Sequence, residues 1–181
     1  MPMHRNQFWV NPYKLMLKIY NCLADIDFRQ LMDVYEEWNR INGKSVYGKF
    51  PANLQMLYSE QDFYAYLVEF FREPSARYAV WIHDGRYVSA LRLEAYNNGL
   101  LLNALETRLD TRNCGFAKML IKSVLNDLRS KGSGVLYSHI QKNNAISIRA
   151  YLSCGFSVFS DSAVYLDGTI RPDSYSLSLN Y

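Results

Sequence analysis

Residues 110–117 read Asp-Thr-Arg-Asn-Cys-Gly-Phe-Ala and carry the clearest chemical content in the chain. The pattern Arg112-x-x-Gly115-x-Ala117 follows a strand-like run and opens a helical one. A helix start has unpaired N–H groups and the positive end of the helix dipole. A glycine there lets an anion approach the backbone, and Arg112 adds charge, so the segment suits a phosphate or diphosphate. The same pattern also suits a plain strand-to-helix turn with a packing glycine. It lacks the GxGxxG spacing of dinucleotide folds, and no Gly-Lys-Ser/Thr follows, so neither a dinucleotide fold nor a P-loop is indicated. Cys22, Cys114 and Cys154 are too scattered for a disulfide framework. No CxxC or Cys/His cluster resembles a zinc site, and no metal is expected.

The elements around this segment follow from hydrophobic period. Residues 13–20 alternate Leu15, Leu17 and Ile19 against Lys14, Met16 and Lys18, which predicts a first strand. Asp27 with Gln30 three residues on is a capping-box-like helix start, and Phe28, Leu31, Met32, Tyr35 and Trp38 continue at helical spacing until Gly43. Residues 43–57 read as a loop. Ser59 starts a second helix with Phe63, Leu67, Phe70 and Phe71 on one face, and Pro74 ends it. Runs 78–83, 87–96 and 100–109 predict three strands, joined at Asp84-Gly85 and Asn97-Asn98-Gly99 as an antiparallel meander.

Residues 115–131 form the clearest helix, with Ala117, Leu120, Ile121, Val124, Leu125 and Leu128 as a buried stripe. A strand over 135–141 follows, and then a short helix over 144–154, with Asn144 as N-cap and Gly155 just past its end. Strands over 156–166 and 174–181 complete the order β-α-α-β-β-β-α-β-α-β-β. The fourth strand, third helix and fifth strand make a βαβ unit, whose strands are normally parallel. The expected fold is therefore α/β (α+β): a mixed, mostly antiparallel sheet with helices on both faces.

Composition bounds the function. The chain has 181 residues, 49% hydrophobic and 20% charged, ample for one full core and too apolar for disorder. A single domain over 1–181, with a core from about residue 13, is expected. No run approaches the roughly 20 apolar residues of a spanning helix, so no membrane role is expected. A net charge of +3 is too small to argue for nucleic acid as partner. Residues 1–10 have no apolar stretch of signal-peptide kind, and with the sparse cysteines this points to the cytoplasm. The 15 tyrosines exceed what packing calls for.

In this context the chain resembles the Gcn5-related N-acetyltransferase (GNAT) superfamily. The carrying residues are Arg112-x-x-Gly115-x-Ala117 between the fourth strand and third helix, and downstream Asn144, Tyr151, Gly155 and Phe156 at the family's spacing. The element order over about 13–181 agrees, with a sheet of about seven strands. The one departure is Ala117, where many members have glycine.

The resemblance implies acetyl-CoA as cosubstrate and an N-acetyltransferase activity. Arg112, Asn113, Cys114, Gly115, Phe116 and Ala117 would hold the pyrophosphate. Backbone groups of Thr107 and Leu109 would meet the pantetheine amides where the fourth and fifth strands splay, and Asn144 would contact the cofactor arm. An amine would attack the thioester carbonyl directly. Glu106, beside the splay, would be the base, since a partly buried carboxyl has a raised pKa. Tyr151 would protonate the departing thiolate. Further candidates for base or substrate contact are His139 and Glu94. Cys114 sits where a thiol pKa falls, but the family does not generally use a covalent step.

The acceptor, a small-molecule or peptide amine, would meet Tyr47, Phe50, Tyr58 and the stretch 163–174. These residues are aromatic and not strongly acidic, which disfavours a polyamine or aminoglycoside. A homodimer through edge strands is compatible with the fold. The alternative function is a catalytically silent acyl-CoA-binding or regulatory module of the same fold.

Overall fold

A computed structural model describes residues 15–181. Residues 1–10 and the start of the expected first strand, Tyr13 and Lys14, lie outside the described residues. A seven-stranded sheet is built from β1 (Met16–Tyr20), β2 (Arg77–His83), β3 (Arg86–Tyr96), β4 (Gly99–Thr107), β5 (Val135–Gln141), β6 (Ser157–Ser160) and a last strand, Ser174–Asn180. Two short strands, β7 (Ala163–Val164) and β8 (Ile170–Arg171), form a separate hairpin before that last strand, which is therefore β9. The sheet order is β1-β2-β3-β4-β5-β9-β6. Among the described residues only the β4–β5 pair is parallel. The meander turns as expected. Asp84 and Gly85 take left-handed φ values of 50° and 74°, the geometry that matches a two-residue turn to the twist of its strands.

Helices α1 (Phe28–Val34), α2 (Glu36–Val46) and α3 (Ala52–Phe70) precede β2 in the chain, and α1 and α3 supply the core of one face. On the opposite face lie α4 (Phe116–Lys131) and α5 (Ala145–Leu152). Leu31, Met32, Phe63, Leu67 and Phe70 build the first core, and Phe116, Leu120, Ile121, Val124 and Leu125 the second. The α4 stripe is the one read from the sequence, with Leu128 at its half-buried margin. Asp27 caps α1 by accepting from the Gln30 N–H at 3.1 Å, and the Gln30 side-chain Oε1 in turn accepts from the Tyr87 N–H at 2.9 Å. The cap thus ties α1 to β3. Among the described residues no helix is long and apolar enough to cross a membrane.

Several expected boundaries move, each for a tertiary reason. The first helix is two, broken at Tyr35 (φ −95°, ψ 15°), whose ring is buried and whose hydroxyl reaches across to β4. Gly43 does not stop a helix but lies buried inside α2. A Cβ at Gly43 would stand 2.5 Å from the Gln55 carbonyl oxygen, so glycine is there to let α3 cross closely.

The expected loop over 43–57 is largely helical. Pro51 sets the start of α3, its carbonyl accepting from the N–H groups of Leu54 and Gln55 at 2.9 and 3.0 Å. Ser59 is accordingly a mid-helix residue. Its hydroxyl donates to Asn39 Oδ1 at 3.2 Å and accepts from Asn42 Nδ2 at 3.1 Å, a polar contact between α2 and α3. The second helix ends at Phe70, ahead of Pro74. The run over 156–166 is interrupted after Ser160 and resumes as β7.

Alanine is the better helix former, yet Gly43→Ala is expected to lower stability by about 1–3 kcal/mol, because the α2–α3 contact must open. Urea unfolding of the two proteins measures this. Equal midpoints would show that the crossing has room to give.

Candidate active site

The site begins where β4 and β5 part. The two strands pair at Leu100–Leu136 and Leu101–Tyr137 and nowhere further along. The last link is a side chain: Ser138 Oγ donates to the Leu102 carbonyl at 3.0 Å. Beyond it β4 bulges, with Ala104 at a φ of 50° and a register shift against β3. The Tyr35 hydroxyl donates to the Ala104 carbonyl at 2.5 Å, which fixes the bulge from the α1–α2 junction. The backbone of β4 past this point faces a gap instead of a neighbouring strand. Tyr151 on α5 belongs to the core behind Ser138, the residue that makes the last contact before the gap. It is 3% exposed, packs edge-on against Phe156 at 5.1 Å and sits beside the Ser138 hydroxyl. Burial pushes the Tyr151 hydroxyl far above its ordinary pKa, with Ser138 opposing, so it is held protonated.

The outer end of the gap meets the turn into α4. Residues Leu109–Thr111 form one 3-10 turn, pinned by Arg108, which pairs with Asp33 of α1 at 2.8 Å and with Asp110 at 2.9 Å. Asn113 and Gly115 then take left-handed φ values of 65° and 82°, turning successive N–H groups toward one side. Gly115 is the N-cap of α4 and supplies no side-chain cap. A Cβ built on it meets nothing within 4 Å, so the space over the helix start is open. Asn113 and Cys114 are exposed, Ala117 is half-buried, and Phe116 turns into the core against the His83 ring at 5.1 Å. An uncapped helix end with an open approach fits an anion such as a diphosphate.

The Arg112 side chain points elsewhere. Its Nη2 lies 2.6 Å from Glu37 Oε2 and 3.6 Å from Glu106 Oε2, and its Nε donates to the Thr107 carbonyl at 3.2 Å. Arg112 therefore joins the start of α4 to two carboxylates, one on α2 and one on β4. Burial raises the Glu106 pKa above the ordinary carboxylate value; Arg112 works against this and Glu37 adds to it.

Glu106 lines a cavity of about 360 Å³ between α2, α3 and the β3–β4 pair. Tyr35, Trp38, Phe63 and Tyr66 form its aromatic walls, and Ala104 contributes from the bulge. Its other polar groups are Asp62 and Arg92. Of the residues expected at the site, Glu106 reaches this cavity. Tyr47, Phe50 and Tyr58 do not line it but cluster one turn away, with ring centroids 5.2–5.3 Å apart. Their one link to it is the Tyr47 hydroxyl, which donates to Asp62 Oδ2 at 2.5 Å.

Glu94 accepts from Asn103 Nδ2 at 2.9 Å, outside the cavity. His139 lies between the rings of Tyr96 and Tyr165, at 5.2 and 5.3 Å, and burial lowers its pKa. Asn144 caps α5 by accepting from the Ser147 N–H at 3.1 Å. Leu109 is 39% exposed at the 3-10 turn. The stretch after β6 carries the β7–β8 hairpin, whose Val164 carbonyl accepts from the Tyr96 hydroxyl at 2.6 Å.

Sequence reasoning missed Tyr35, Trp38, Asp62, Phe63, Tyr66 and Arg92 as lining residues. Arg92 had a signal: it is a cation inside an otherwise buried run, Tyr87 to Leu93, of a central strand.

The comparisons with known proteins agree with this architecture. No curated protein matches the sequence. The fold is similar to PaiA N-acetyltransferase from Thermoplasma acidophilum, solved in complex with coenzyme A. That likeness has 15% identity and a TM-score of 0.61 over 92% of this chain and 99% of that one. It is also similar to the ribosomal-protein-S18-alanine N-acetyltransferase from Escherichia coli, at 18% identity and a TM-score of 0.60 over 91% of this chain and 94% of that one. A third likeness is to the IAA acetyltransferase from Bacillus cereus ATCC 14579, at 11% identity and a TM-score of 0.57 over 93% and 100%. The sequence model of the acetyltransferase (GNAT) family matches residues 31–156, which span α1 through α5 and so include the splay, the α4 turn and the cavity walls. The chain belongs to the acetyltransferase (GNAT) family.

Proposed function

We propose that the protein transfers an acetyl group from acetyl-CoA to a primary amine by direct attack. The observation that carries this reading is Glu106: a carboxyl of raised pKa that lines an aromatic-walled cavity, on the strand that parts from β5. In this reading the β4–β5 gap takes the pantetheine arm, with Thr107 and Leu109 at its outer part. The diphosphate lies over the backbone of residues 112–117, with Asn144 near the arm. Acetyl-CoA supplies the activated thioester carbonyl when bound.

The residues of the chain do the proton work. Glu106 accepts a proton from the ammonium form of the acceptor, directly or through one water, and so frees the lone pair that forms the new C–N bond. As the C–S bond breaks, the buried Tyr151 hydroxyl gives its proton to the departing thiolate, and the second proton released by the acetylated nitrogen restores the Tyr151 phenol, while Glu106 returns its own proton to solvent. Burial suits both roles: it raises the Glu106 pKa toward that of a base working near neutrality, and it keeps Tyr151 protonated.

A panel of amines assayed for thiol release from acetyl-CoA tests the activity. Stabilisation by CoA without thiol release above hydrolysis for any amine would make the protein a silent acyl-CoA-binding module instead. Glu106→Gln is expected to lower kcat on the order of 10²–10⁴-fold. Tyr151→Phe is expected to lower kcat with little change in CoA affinity. A fully active Tyr151→Phe protein would remove that residue from the mechanism.

The pH profile gives a second test. Activity needs the Glu106 carboxylate, so kcat/KM should fall as pH drops through its raised pKa. Arg112 holds that pKa down and Glu37 pushes it up. Arg112→Gln should therefore move the acid limb to higher pH and Glu37→Gln to lower pH. An acid limb that neither variant moves would assign it to another group.

A further inference from the structure

Among the described residues, Arg92 is the cavity residue whose charge has no ion-pair partner. It comes from β3, beside the bulge, and faces the α3 side of the sheet. Its guanidinium carbon sits 4.5 Å from the Tyr66 ring centroid and 5.6 Å from that of Phe70. Its Nε is buried without a hydrogen-bond partner. The ion pairs of the described residues go elsewhere. The two cavity carboxylates are engaged by other groups, Asp62 by the Tyr47 hydroxyl and Glu106 by Arg112. A guanidinium in apolar surroundings without a counter-charge is costly, and its fork of donors matches a carboxylate in two-point contact.

Resting on the acetyl-transfer reading, we propose that the acceptor is a free amino acid with an apolar side chain. Its carboxylate pairs with Arg92, its amine faces Glu106, and its side chain lies against the walls of Trp38, Phe63 and Tyr66. The spacing agrees. Glu106 pairs in register with Ala90 and Arg92 lies two residues along β3, so the two positions are offset by about 7 Å along the strand, with both side chains on the cavity lining. The volume agrees as well: about 360 Å³ is near the lower end for ligand sites and suits one amino acid better than a polypeptide end. A polyamine would place a second cation against Arg92.

The test compares kcat/KM for phenylalanine, phenylalaninamide and phenethylamine, and for leucine, leucinamide and isoamylamine, in wild type, Arg92→Gln and Arg92→Lys. Wild type is expected to prefer at least one amino acid over its amide and its decarboxylated amine by about tenfold or more. Arg92→Gln should bring that ratio close to one, and Arg92→Lys should restore part of it. If Arg92→Gln does not fold, Arg92→Lys carries the comparison, since it keeps charge and loses the fork.

A readout without turnover accompanies this: N-acetylphenylalanine and N-acetylleucine should raise the Tm of wild type, raise that of Arg92→Lys less, and leave that of Arg92→Gln unchanged. Amines acetylated without preference for the carboxylate would overturn this proposal and leave acetyl transfer standing. N-acetyl amino acids that stabilise the protein through Arg92, with no amine acetylated, would support the carboxylate site and overturn acetyl transfer.

Discussion

A strand pair that opens is the constraint on which this molecule depends. In a sheet, backbone N–H and C=O groups satisfy one another, and a strand that leaves its partner exposes groups that must be satisfied some other way. Here β4 leaves β5 after two register pairs, and two side-chain hydroxyls fix where it happens. Ser138 closes the last contact before the gap, and Tyr35 holds the bulged Ala104 carbonyl on the far side. Tyr35 is also the residue at which α1 gives way to α2. One buried phenol therefore bears on both the parting of β4 from β5 and the junction from which α2 runs along the cavity.

Charge is arranged around that opening in two separate ways. Arg112 is tied to Glu37 and Glu106 and so tunes a carboxylate. In the proposed reading the α4 start would accept the diphosphate through backbone geometry, the left-handed Asn113 and Gly115 and the uncapped helix end. Arg92, by contrast, is stacked on Tyr66 with its charge unpaired. Both are arginines near β4, and their surroundings give them opposite tasks, one internal and one facing the cavity.

The parts legible in the sequence are those whose physics is local. The meander is written in Asp84-Gly85 and in alternation, the α4 stripe in its period, and the α4 turn in residues that stand next to one another in the chain. The cavity is not local. It is made by side chains from two helices and two strands, and no spacing rule links Trp38 to Asp62 or Arg92. Aromatic content in the right region pointed to Tyr47, Phe50 and Tyr58, one turn short of the residues on α3 that line the wall. Gly43 and Ser59 are ambiguous in the sequence for a related reason. A glycine and a serine carry the same letters at a helix end and at a close helix crossing, and only the neighbouring backbone tells the two apart.

That crossing bears on how such a pocket can change over evolutionary time. Trp38 rides on α2, and Asp62, Phe63 and Tyr66 ride on α3, so one wall of the cavity is assembled across the Gly43–Gln55 contact. Two helices locked at backbone distance leave little freedom to widen the pocket by sliding apart. New acceptors would then be accommodated by exchanging the side chains that project from a fixed frame. Diversity of substrate in a lineage with this crossing should accordingly appear at the positions of Trp38, Asp62 and Tyr66, with the glycine at the crossing kept.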